Sequence, residues 1–505
     1  MPKLSELLRE GHRVEVAQPW PRWIVPVSLW QAARAHLVQN ELTLLDLWAE
    51  PGWMHMALLD EQTPRIAIAS LDCASGHFPS IGAQHPPAIR LERAVQDLYG
   101  LVAEGALDRR PWLDHGRWGV THPLGTMAPS PAPPRPPEPF AFLPVQGESL
   151  HQIAVGPVHA GIIEPGHFRF TANGETVVRL EQRLGYVHRG LAGLMRGASL
   201  AQAAKLAGRV SGDSTVAYAL AFARAVEAAL GVAVPTRAHW LRALMAELER
   251  LANHLGDIGA ICNDASFSMM HTHCAILREL VLRAADGCFG HRLMRDCIVP
   301  GGVAGDLDAP GMAALAALVG QIRGRFPALI ELYDRTTSLQ DRTVATGILR
   351  PALARQFGAG GYVGRASGRA FDARRALAYA PYEMLHFEVP GRADGDVNAR
   401  VWIRIGEVGQ SLGMIEQILT ELPAGALRAE FAPGAGEGAA LVEGFRGDIW
   451  AWLRLDADGR IAQCRLRDPS WFQWPLLEAA VEGNIVADFP LCNKSFNCSY
   501  AGHDL

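Results

Sequence analysis

The sequence lacks long uninterrupted apolar runs. The best candidate for such a run, Thr215 to Ala223, is followed by Arg224 and then by Glu227. The run is therefore well short of the roughly 18 apolar residues expected of a membrane-spanning helix. The amino-terminal stretch MPKLSELLREGHRVEVAQPW also lacks the continuous apolar core of a signal peptide. The sequence therefore predicts a chain that stays in the cytoplasm and does not itself cross a membrane.

Several common signals of enzyme chemistry are also missing. No GxGxxG or GxxxxGKS/T turn follows a strand-like run, so no nucleotide-binding loop is predicted and NAD is not expected here. The serine elbow Gly-x-Ser-x-Gly is absent as well. The 8 cysteines never occur as CxxC, so neither a disulfide framework nor an ordinary zinc or iron–sulfur site is predicted. We expect the first six cysteines, which end at Cys464, to be buried free thiols.

Lysine is scarce, and neither sign of charge dominates. The 47 basic and 52 acidic residues give a net charge of -5, which is too balanced for a protein that binds the phosphate backbone, so no nucleic-acid partner is predicted. The only lysines are Lys3, Lys205 and Lys494. Nearly every cation is therefore an arginine, which suits buried or bidentate ion pairs but equally fits a GC-rich genome.

The length and the proline distribution predict more than one domain. The 505 residues are about three times a typical domain. Seven prolines crowd into residues 128–140, and such a segment is typical of an extended, semi-rigid spacer. We therefore predict a first domain over residues 1–125, a linker over 126–147 and a second domain over 148–505. The first mixes amphipathic helices with short strands, so we expect a small α+β unit.

The second domain is predicted to begin and end with strands around a helix bundle. A helix is predicted from Thr236 to about Ile258, with one leucine stripe and one polar stripe that carries Glu249 and Asn253, and both stripes are candidates for burial. Asp213 or Ser214 would cap a preceding helix that ends at Gly231. Near the carboxyl end, Asp456-Ala457-Asp458-Gly459 predicts a hairpin turn.

Eight blocks in this region, in a consistent order, resemble a known family. The blocks are GPVHAGIIEPGHFRF (156–170), RLGYVHRGLAGL (183–194), RALMAELERLANHL (242–255), PGGV (300–303), RASGRAFDARR (365–375), GDVNARVWIRIGEVGQSL (395–412), GEGAALVEGFRGD (436–448) and RDPSWFQWPLL (467–477). Together they resemble the large subunit of the membrane-bound, energy-converting NiFe hydrogenases and, equally, the NuoD-type subunit of respiratory complex I. In the first domain, FPSIGAQHPPAIRLERAVQDLYGL (78–101) with DRRPWL (108–113) resembles the NuoC-type subunit. The resemblance implies a NuoC–NuoD-type fusion with a largely helical second domain that contains small antiparallel sheets.

The resemblance also shows what this chain has lost. The family holds nickel with four thiolates from CGxC and CxxC motifs, since soft ligands select such metals. The corresponding positions here are Ser211, Ser214, Ser499 and Gly502. We therefore expect no nickel and no cofactor bound by this chain. An atypical metal held by Asp213, Cys498 and a histidine is kept as an alternative.

Complex I relatives use the same cavity for quinone, through a histidine and a tyrosine. The resemblance places the histidine at His159, puts Gly212 where the tyrosine would be, and identifies Asp264 as the acid that pairs with the histidine. Glu164 matches the hydrogenase glutamate that passes protons, which implies a carboxyl in a buried cavity with a raised pKa. Glu164, His159 and Asp264 are thus the predicted catalytic group, with quinone as a candidate ligand.

Three further residues are implied to face the cavity or a neighbouring cluster. Arg189, with His188 beside it, matches the arginine next to the 4Fe-4S cluster of the small subunit, although an ordinary structural arginine would fit the same turn. Arg446 matches the arginine that lines the hydrogenase cavity, and if buried it needs an acidic or polar partner. Ser211, Ser214 and Ser499 complete the predicted lining.

We therefore predict a peripheral-arm core subunit of a membrane-bound oxidoreductase related to formate hydrogenlyase and complex I. Its expected partners are a NuoB-like iron–sulfur small subunit and membrane subunits that move ions, and its expected place is the cytoplasmic face of a bacterial inner membrane. Three interpretations stay open. The pocket reduces a quinone or a similar acceptor, the subunit is inactive and transmits conformational change, or it is a hydrogenase with an atypical metal.

Overall fold

The computed structural model describes residues 4–125, 130–131 and 140–505. The proline-rich segment predicted at 128–140 lies almost entirely outside these residues, and the domain boundaries drawn around it stay predictions. In the described part, strands and helices mix at the amino-terminal end and helices dominate the remainder, which confirms the predicted α+β class. None of its helices is both long and apolar enough to cross a lipid bilayer.

The amino-terminal module is built on one five-stranded sheet. Its helices are α1 (Leu4–Leu7), α2 (Val27–Val38) and α3 (Ile89–Tyr99). Its strands are β1 (His12–Val14), β2 (Ala17–Gln18), β3 (Arg22–Ile24), β4 (Thr43–Glu50), β5 (Trp53–Asp60), β6 (Arg65–Asp72), β7 (His77–Pro79), β8 (Val102–Glu104), β9 (Val120–Thr121) and β10 (Ser130–Pro131). The sheet order is β1-β3-β6-β5-β4, antiparallel except for the β3–β6 pair.

The second module surrounds a helix bundle with small sheets. Its strands are β11 (Leu150–Val155), β12 (His167–Asn173), β13 (Thr176–Arg183), β14 (Ile298–Val299), β15 (Gly302–Val303), β16 (Gly436–Gly444), β17 (Gly447–Leu455) and β18 (Ile461–Arg467). Its helices are α4 (Leu191–Met195), α5 (Leu200–Ala207), α6 (Thr215–Leu230), α7 (Thr236–Asp264), α8 (Ser268–Phe289), α9 (Ala309–Arg335), α10 (Thr337–Thr343), α11 (Pro351–Gln356), α12 (Gly361–Ala366), α13 (Ala373–Ala376), α14 (Val397–Glu421), α15 (Ser470–Val481), α16 (Phe489–Phe496) and α17 (Tyr500–Asp504). The predicted hairpin is confirmed, because β17 and β18 pair antiparallel around the turn at 456–459.

Helix α7 lies at the centre of the bundle. Its leucine stripe and its polar stripe, both predicted as candidates for burial, are both buried. Leu241 and Leu248 are fully buried on one side, and Arg242 and Glu249 are buried on the other. A buried charge requires a partner, and Arg242 donates two hydrogen bonds to Glu227 on α6, at 3.0 and 2.5 Å. The polar stripe of α7 thus fastens α6 to the bundle.

The two modules are joined by backbone pairing and by a shared core. Strand β2 of the first module adds in parallel to the edge of β16, with Ala17 opposite Glu437. Arg22 donates two hydrogen bonds to the same Glu437, at 2.7 and 2.8 Å, in a buried pair. Trp48 of β4 packs against Trp452 of β17, with ring centroids 5.5 Å apart. The modules therefore meet through packed interior rather than through a linker alone.

The cysteines are free thiols in the described structure. All except the half-buried Cys288 are buried, which matches the expectation for five of the first six. Burial raises the pKa of Cys464 to about 12, so this thiol stays protonated and behaves as a small apolar side chain.

Candidate functional site

Two distant segments meet where the family holds its metal. The segment 209–214 precedes α6, and the segment 495–505 ends the described chain. The Ser499 hydroxyl donates to the Ser211 hydroxyl at 3.2 Å, and the Gly502 N–H donates to the Ser499 Oγ at 2.9 Å. Ser214 is buried one turn from Ser211. The tertiary structure thus brings together the four positions that correspond to the lost thiolates.

An ion pair ties this cluster together. Buried Arg446, on the turn between β16 and β17, donates through Nη2 to Asp213 at 2.6 Å and through Nη1 to the Ser214 hydroxyl at 3.1 Å. The Ser211 hydroxyl donates to Asp213 at 2.6 Å. Burial opposes ionisation of Asp213, but the Arg446 charge and the hydroxyl donors outweigh it and lower the pKa of Asp213. Asp213 is thus the acidic partner that a buried Arg446 requires.

Gly502, the last of these four positions, lies against a carboxylate from another element. A Cβ atom built on Gly502 would overlap the carboxylate of Asp468, which follows β18. That carboxylate accepts a hydrogen bond from the Tyr218 hydroxyl at 2.6 Å and another from the Ser470 N–H at 2.8 Å. Only a residue without a side chain fits at 502 in this arrangement. Neither Asp468 nor Tyr218 lies in a cysteine motif, so the sequence alone gives no signal that they are site residues.

The residues present do not fit a NiFe centre. Three serine hydroxyls and a glycine replace four thiolates, and hydroxyls are hard, weakly acidic ligands. Cys498 is buried, and burial raises the pKa of its thiol, so it is not a ready thiolate ligand. In the described part of the chain, no three histidine, cysteine or acidic side chains converge in a way that could hold a metal ion. The atypical site of Asp213, Cys498 and a histidine is therefore not assembled here, and Asp213 is bound to Arg446 instead.

The predicted catalytic group is only partly brought together. His159 and Glu164 lie on the loop 156–166 between β11 and β12, which contacts α17. His159 Nε2 lies 3.2 Å from the Tyr500 hydroxyl, and Glu164 accepts a hydrogen bond from the Ala501 N–H at 3.0 Å. Burial lowers the pKa of His159. The Glu164 residue, however, is exposed, so the expectation of a deeply buried carboxyl is wrong for this chain.

Asp264 is not the partner of His159. Asp264 lies half-buried at the carboxyl end of α7, where burial raises its pKa and the charge of Lys494 partly opposes that shift. The Tyr500 hydroxyl contacts the imidazole of His159 instead. The sequence offered one signal for Tyr500, because it lies between the positions of two lost thiolates, Ser499 and Gly502.

The acid of α7 that reaches the carboxyl-terminal segment is Asp257. It accepts a hydrogen bond from the Asn497 amide at 2.9 Å and forms an ion pair with Arg404 at 3.2 Å. Asp257 thus lies two helical turns before the position that resemblance suggested. A helix repeats the same face every three to four residues, so sequence spacing alone does not choose between them.

Arg189 and His188 lie beside the same segments. The exposed Arg189 donates to the carbonyl oxygens of Val210 at 2.7 Å and Arg209 at 3.1 Å. His188 Nδ1 lies 2.7 Å from the carbonyl oxygen of Asp504. Both residues therefore brace the segments 209–214 and 495–505 from the protein surface.

This geometry points to a class of protein that resembles the hydrogenase large subunit, with an arginine–carboxylate–hydroxyl network at the positions that the resemblance matches to the metal ligands. Comparison with known proteins agrees. Residues 264–433 match the family described as respiratory-chain NADH dehydrogenase, 49 Kd subunit, and residues 52–133 match the 30 Kd subunit.

Individual relatives include a formate hydrogenlyase subunit and an NADH-quinone oxidoreductase subunit. The chain is 32% identical over 449 residues to formate hydrogenlyase subunit 5 of Escherichia coli K12, covering 86% of this chain and 78% of the relative. It is 30% identical to the D-type subunit of NADH-quinone oxidoreductase of Dehalococcoides mccartyi, covering 66% of this chain and 92% of the relative. A solved structure of the membrane-bound sulfane sulfur reductase, an archaeal respiratory membrane complex, matches with a TM-score of 0.67 and 25% identity, over 72% of this chain and 100% of that chain.

The chain belongs to the family that includes formate hydrogenlyase subunit 5 and the D-type subunits of NADH-quinone oxidoreductase. It carries 30 kDa-type and 49 kDa-type domains of respiratory NADH dehydrogenase on one polypeptide, which confirms the predicted NuoC–NuoD-type fusion.

Proposed function

We propose that this chain is a peripheral-arm subunit of a membrane-bound oxidoreductase complex and that its loop 156–166 binds an iron–sulfur small subunit. The observation that carries the proposal is the exposure of Ile162 and Val158 on that loop, at 96% and 78%. Large apolar side chains exposed to this degree are typical of interaction surfaces when they cluster. The exposed guanidinium of Arg189 braces the same corner of the molecule.

The partner we propose is a NuoB-like subunit that carries a 4Fe-4S cluster, with membrane subunits that move ions beyond it. The complex would then lie on the cytoplasmic face of a bacterial inner membrane. These expectations are supported by the family of this chain and by the membrane complex to which the matching structure belongs.

The acceptor we propose at this corner is a quinone or a similar small carbonyl compound. Tyr500 and His159 supply a hydroxyl and an imidazole within hydrogen-bond reach of each other. These are the groups that donate hydrogen bonds to a carbonyl oxygen and pass protons to it. Reduction of a quinone to a quinol takes two electrons, from the partner's cluster, and two protons.

A second candidate is a subunit without chemistry of its own that couples electron transfer in its partner to the membrane arm. It is favoured by the network around Arg446, because Asp213, Ser211, Ser214 and Ser499 satisfy one another without a ligand. For both candidates we propose that the chain binds no nickel, since the ligand positions are hydroxyls and a glycine.

The docking proposal is tested by co-expression with an iron–sulfur small subunit and purification of the pair. Ile162→Asp places a charge in the proposed interface, so we expect it to reduce recovery of the partner at least tenfold. Ile276→Asp, at a site on α8 that is 47% exposed, is the matched control and is expected to leave recovery unchanged. Equal recovery with both variants would contradict the docking face.

The two functional candidates are separated by turnover of the purified complex with a soluble quinone. If the corner is the acceptor site, Tyr500→Phe should keep assembly and slow quinone reduction by about a hundredfold, the usual effect of removing a positioned proton donor. If the unmodified complex shows no quinone-dependent turnover while its cluster is reducible, the coupling role is the correct one.

A further inference from the structure

The start of α6 is capped by a side chain from another helix. Ser214 occupies the N-cap position but makes no hydrogen bond to the first helical turn, since its hydroxyl donates to Asp213 and its oxygen accepts from Arg446 instead. The carboxylate of Glu249 on α7 accepts instead, from the Val216 N–H at 2.7 Å and the Ala217 N–H at 3.1 Å. An anionic group is favourable at a helix N-terminus. The cap predicted at Asp213 or Ser214 is therefore supplied from a distance by Glu249.

Glu249 differs from Glu247, the preceding acid of α7, because it has no cationic partner. Glu247, two residues earlier on the same helix, forms ion pairs with Arg250 and Arg374. Within residues 4–125 and 140–505, no ion pair to Glu249 is formed. The charged group that most affects it through space is the carboxylate of Asp213, which repels a second negative charge.

A crevice connects Glu249 with the surface. Its volume is about 20 Å³, and its lining includes Gly212, Asp213, Glu249 and Asn253 together with Arg278 and Arg292. Glu249 is buried whereas Arg292 is exposed, so the crevice runs from the interior outwards. This volume holds about one water molecule, and although most of the lining is apolar, Asp213, Glu249 and Asn253 offer that water hydrogen-bond partners.

Opposing forces act on the Glu249 carboxyl. Burial, the largest influence, and the charge of Asp213 favour the neutral acid, whereas the two N–H donors and the neighbouring Arg250 favour the carboxylate. Arg278 and Arg292 face the crevice from the α8 side, and Arg446 neutralises Asp213 behind it. The balance raises the pKa of Glu249 to about 8, whereas Glu247 is held ionised by its arginines, which lower its pKa against the effect of burial.

We propose that Glu249 is a proton-binding site that exchanges its proton with solvent through this crevice, directly behind the segment 211–214. Uptake moves one proton from water to a carboxylate oxygen and leaves a neutral acid, and release reverses that step with no other bond changed. The neutral acid keeps one strong acceptor oxygen, so one of its two bonds to the first turn of α6 weakens. Protonation of Glu249 therefore loosens the first turn of α6, and deprotonation strengthens its attachment to α7. The segment that carries Ser211 and Asp213 leads directly into this turn. This proposal depends on neither the acceptor nor the partner proposed above.

The test is infrared difference spectroscopy of the purified full chain between about pH 6 and about pH 10, a range that brackets the value of about 8. We expect the C=O band of a protonated carboxylic acid to disappear across this range in the unmodified chain. Buried Glu443, whose pKa is raised to about 7, loses its proton in the same range and contributes to the same band. Glu249→Gln should therefore remove the component with the midpoint near 8 and lower the amplitude of the band, while Glu416→Gln, an exposed acid paired with Arg323, should leave the amplitude unchanged. An unchanged amplitude in Glu249→Gln would overturn the proposal.

Two further measurements keep the proposal falsifiable if Glu249→Gln fails to fold. Glu249→Asp retains the acid but retracts it from the α6 N–H groups, so we expect the midpoint of the band to move, and an unmoved midpoint would assign the band to another acid. Transfer of the unmodified chain into D2O is expected to shift the band within minutes. A band that stays unshifted for hours in folded protein would show that solvent does not reach Glu249.

Discussion

At the scale of single residues, the positions that the resemblance matches to soft metal ligands carry hydroxyls and a glycine, and charged groups bind those hydroxyls. The guanidinium of Arg446 is planar and can bind a carboxylate and a hydroxyl at once, which a compact ammonium group does less well. Asp213 and Ser214 take up those donors. An arginine therefore suits this position better than a lysine would.

Gly502→Ala tests whether the Asp468 carboxylate occupies the place of the fourth ligand. The added methyl group would overlap that carboxylate, and overpacking of this kind costs about 1 to 3 kcal/mol. We expect a lower urea midpoint for the variant than for the unmodified chain.

Gly409→Ala is the matched control for that experiment. Gly409 lies in α14 with nothing near its added methyl group, and alanine in a helix is favoured over glycine by up to about 1 kcal/mol. Its midpoint should stay the same or rise. If Gly502→Ala behaves like this control, Asp468 does not fill the position.

At the scale of elements, the short strand β2 joins the first module to the sheet of the second module. It lies beside β16, and the buried pair of Arg22 and Glu437 reinforces the contact, with Trp452 also donating to Glu437 at 3.0 Å. Strand β17, paired with β16, leads from the turn that holds Arg446. The first module thus supports the sheet that positions the site.

Arg22→Met tests this joint. It leaves Glu437 buried without its cation, and breaking a buried ion pair on one side costs about 3 to 5 kcal/mol. We expect a clear fall in the thermal midpoint. The double variant Arg22→Met with Glu437→Met removes both charges and should recover most of the loss, because no lone buried charge remains. A double variant less stable than the single one would contradict the account.

At the scale of the whole molecule, the interior of the second module is held by a network of buried charges. Its members connect α7, α12, α13, α14 and β16: Arg250, Arg365, Arg374, Glu247, Asp372, Glu407 and Glu443. Burial works against each carboxylate, but the arginines outweigh it for Asp372 and Glu407 and lower the pKa of both. Asp372 and Glu407 are thus ionised inside the protein at neutral pH, whereas burial and the charge of Asp372 raise the pKa of Glu443 to about 7.

This network of buried ion pairs predicts how the stability of the protein falls at acid pH. A carboxyl whose pKa is lowered by folding stabilises the protein above its unfolded value of about 4, and the contribution is lost as the pH falls through the folded value. We therefore expect thermal midpoints to be maintained down to about pH 4 and to fall steeply below it. Thermal unfolding followed by circular dichroism from about pH 2 to about pH 7 checks this expectation. A midpoint independent of pH below about 4 would contradict it.

The sequence by itself determined the local features of this protein. Apolar periodicity predicted α7, turn residues predicted the β17–β18 hairpin, and Gly231 predicted the end of α6, which it terminates with a left-handed φ of 64°. The order of the motifs identified the family, and the motifs themselves showed that the thiolates are gone. Each helix, turn and motif signal lies within a short stretch of chain, where backbone preferences and side-chain spacing act directly, and only the order of the motifs is read along the whole second domain.

Only the tertiary structure decided what occupies the place of the metal and which groups act together there. Asp468 reaches Gly502, Arg446 reaches Asp213, Tyr500 reaches His159, and Glu249 caps α6, in each case between residues that are far apart or on separate elements. The same geometry left Glu164 exposed and Asp264 apart from His159. Such contacts depend on how helices and strands pack, and no local pattern records them, because the burial that makes a lone carboxyl or guanidinium seek a partner exists only after folding.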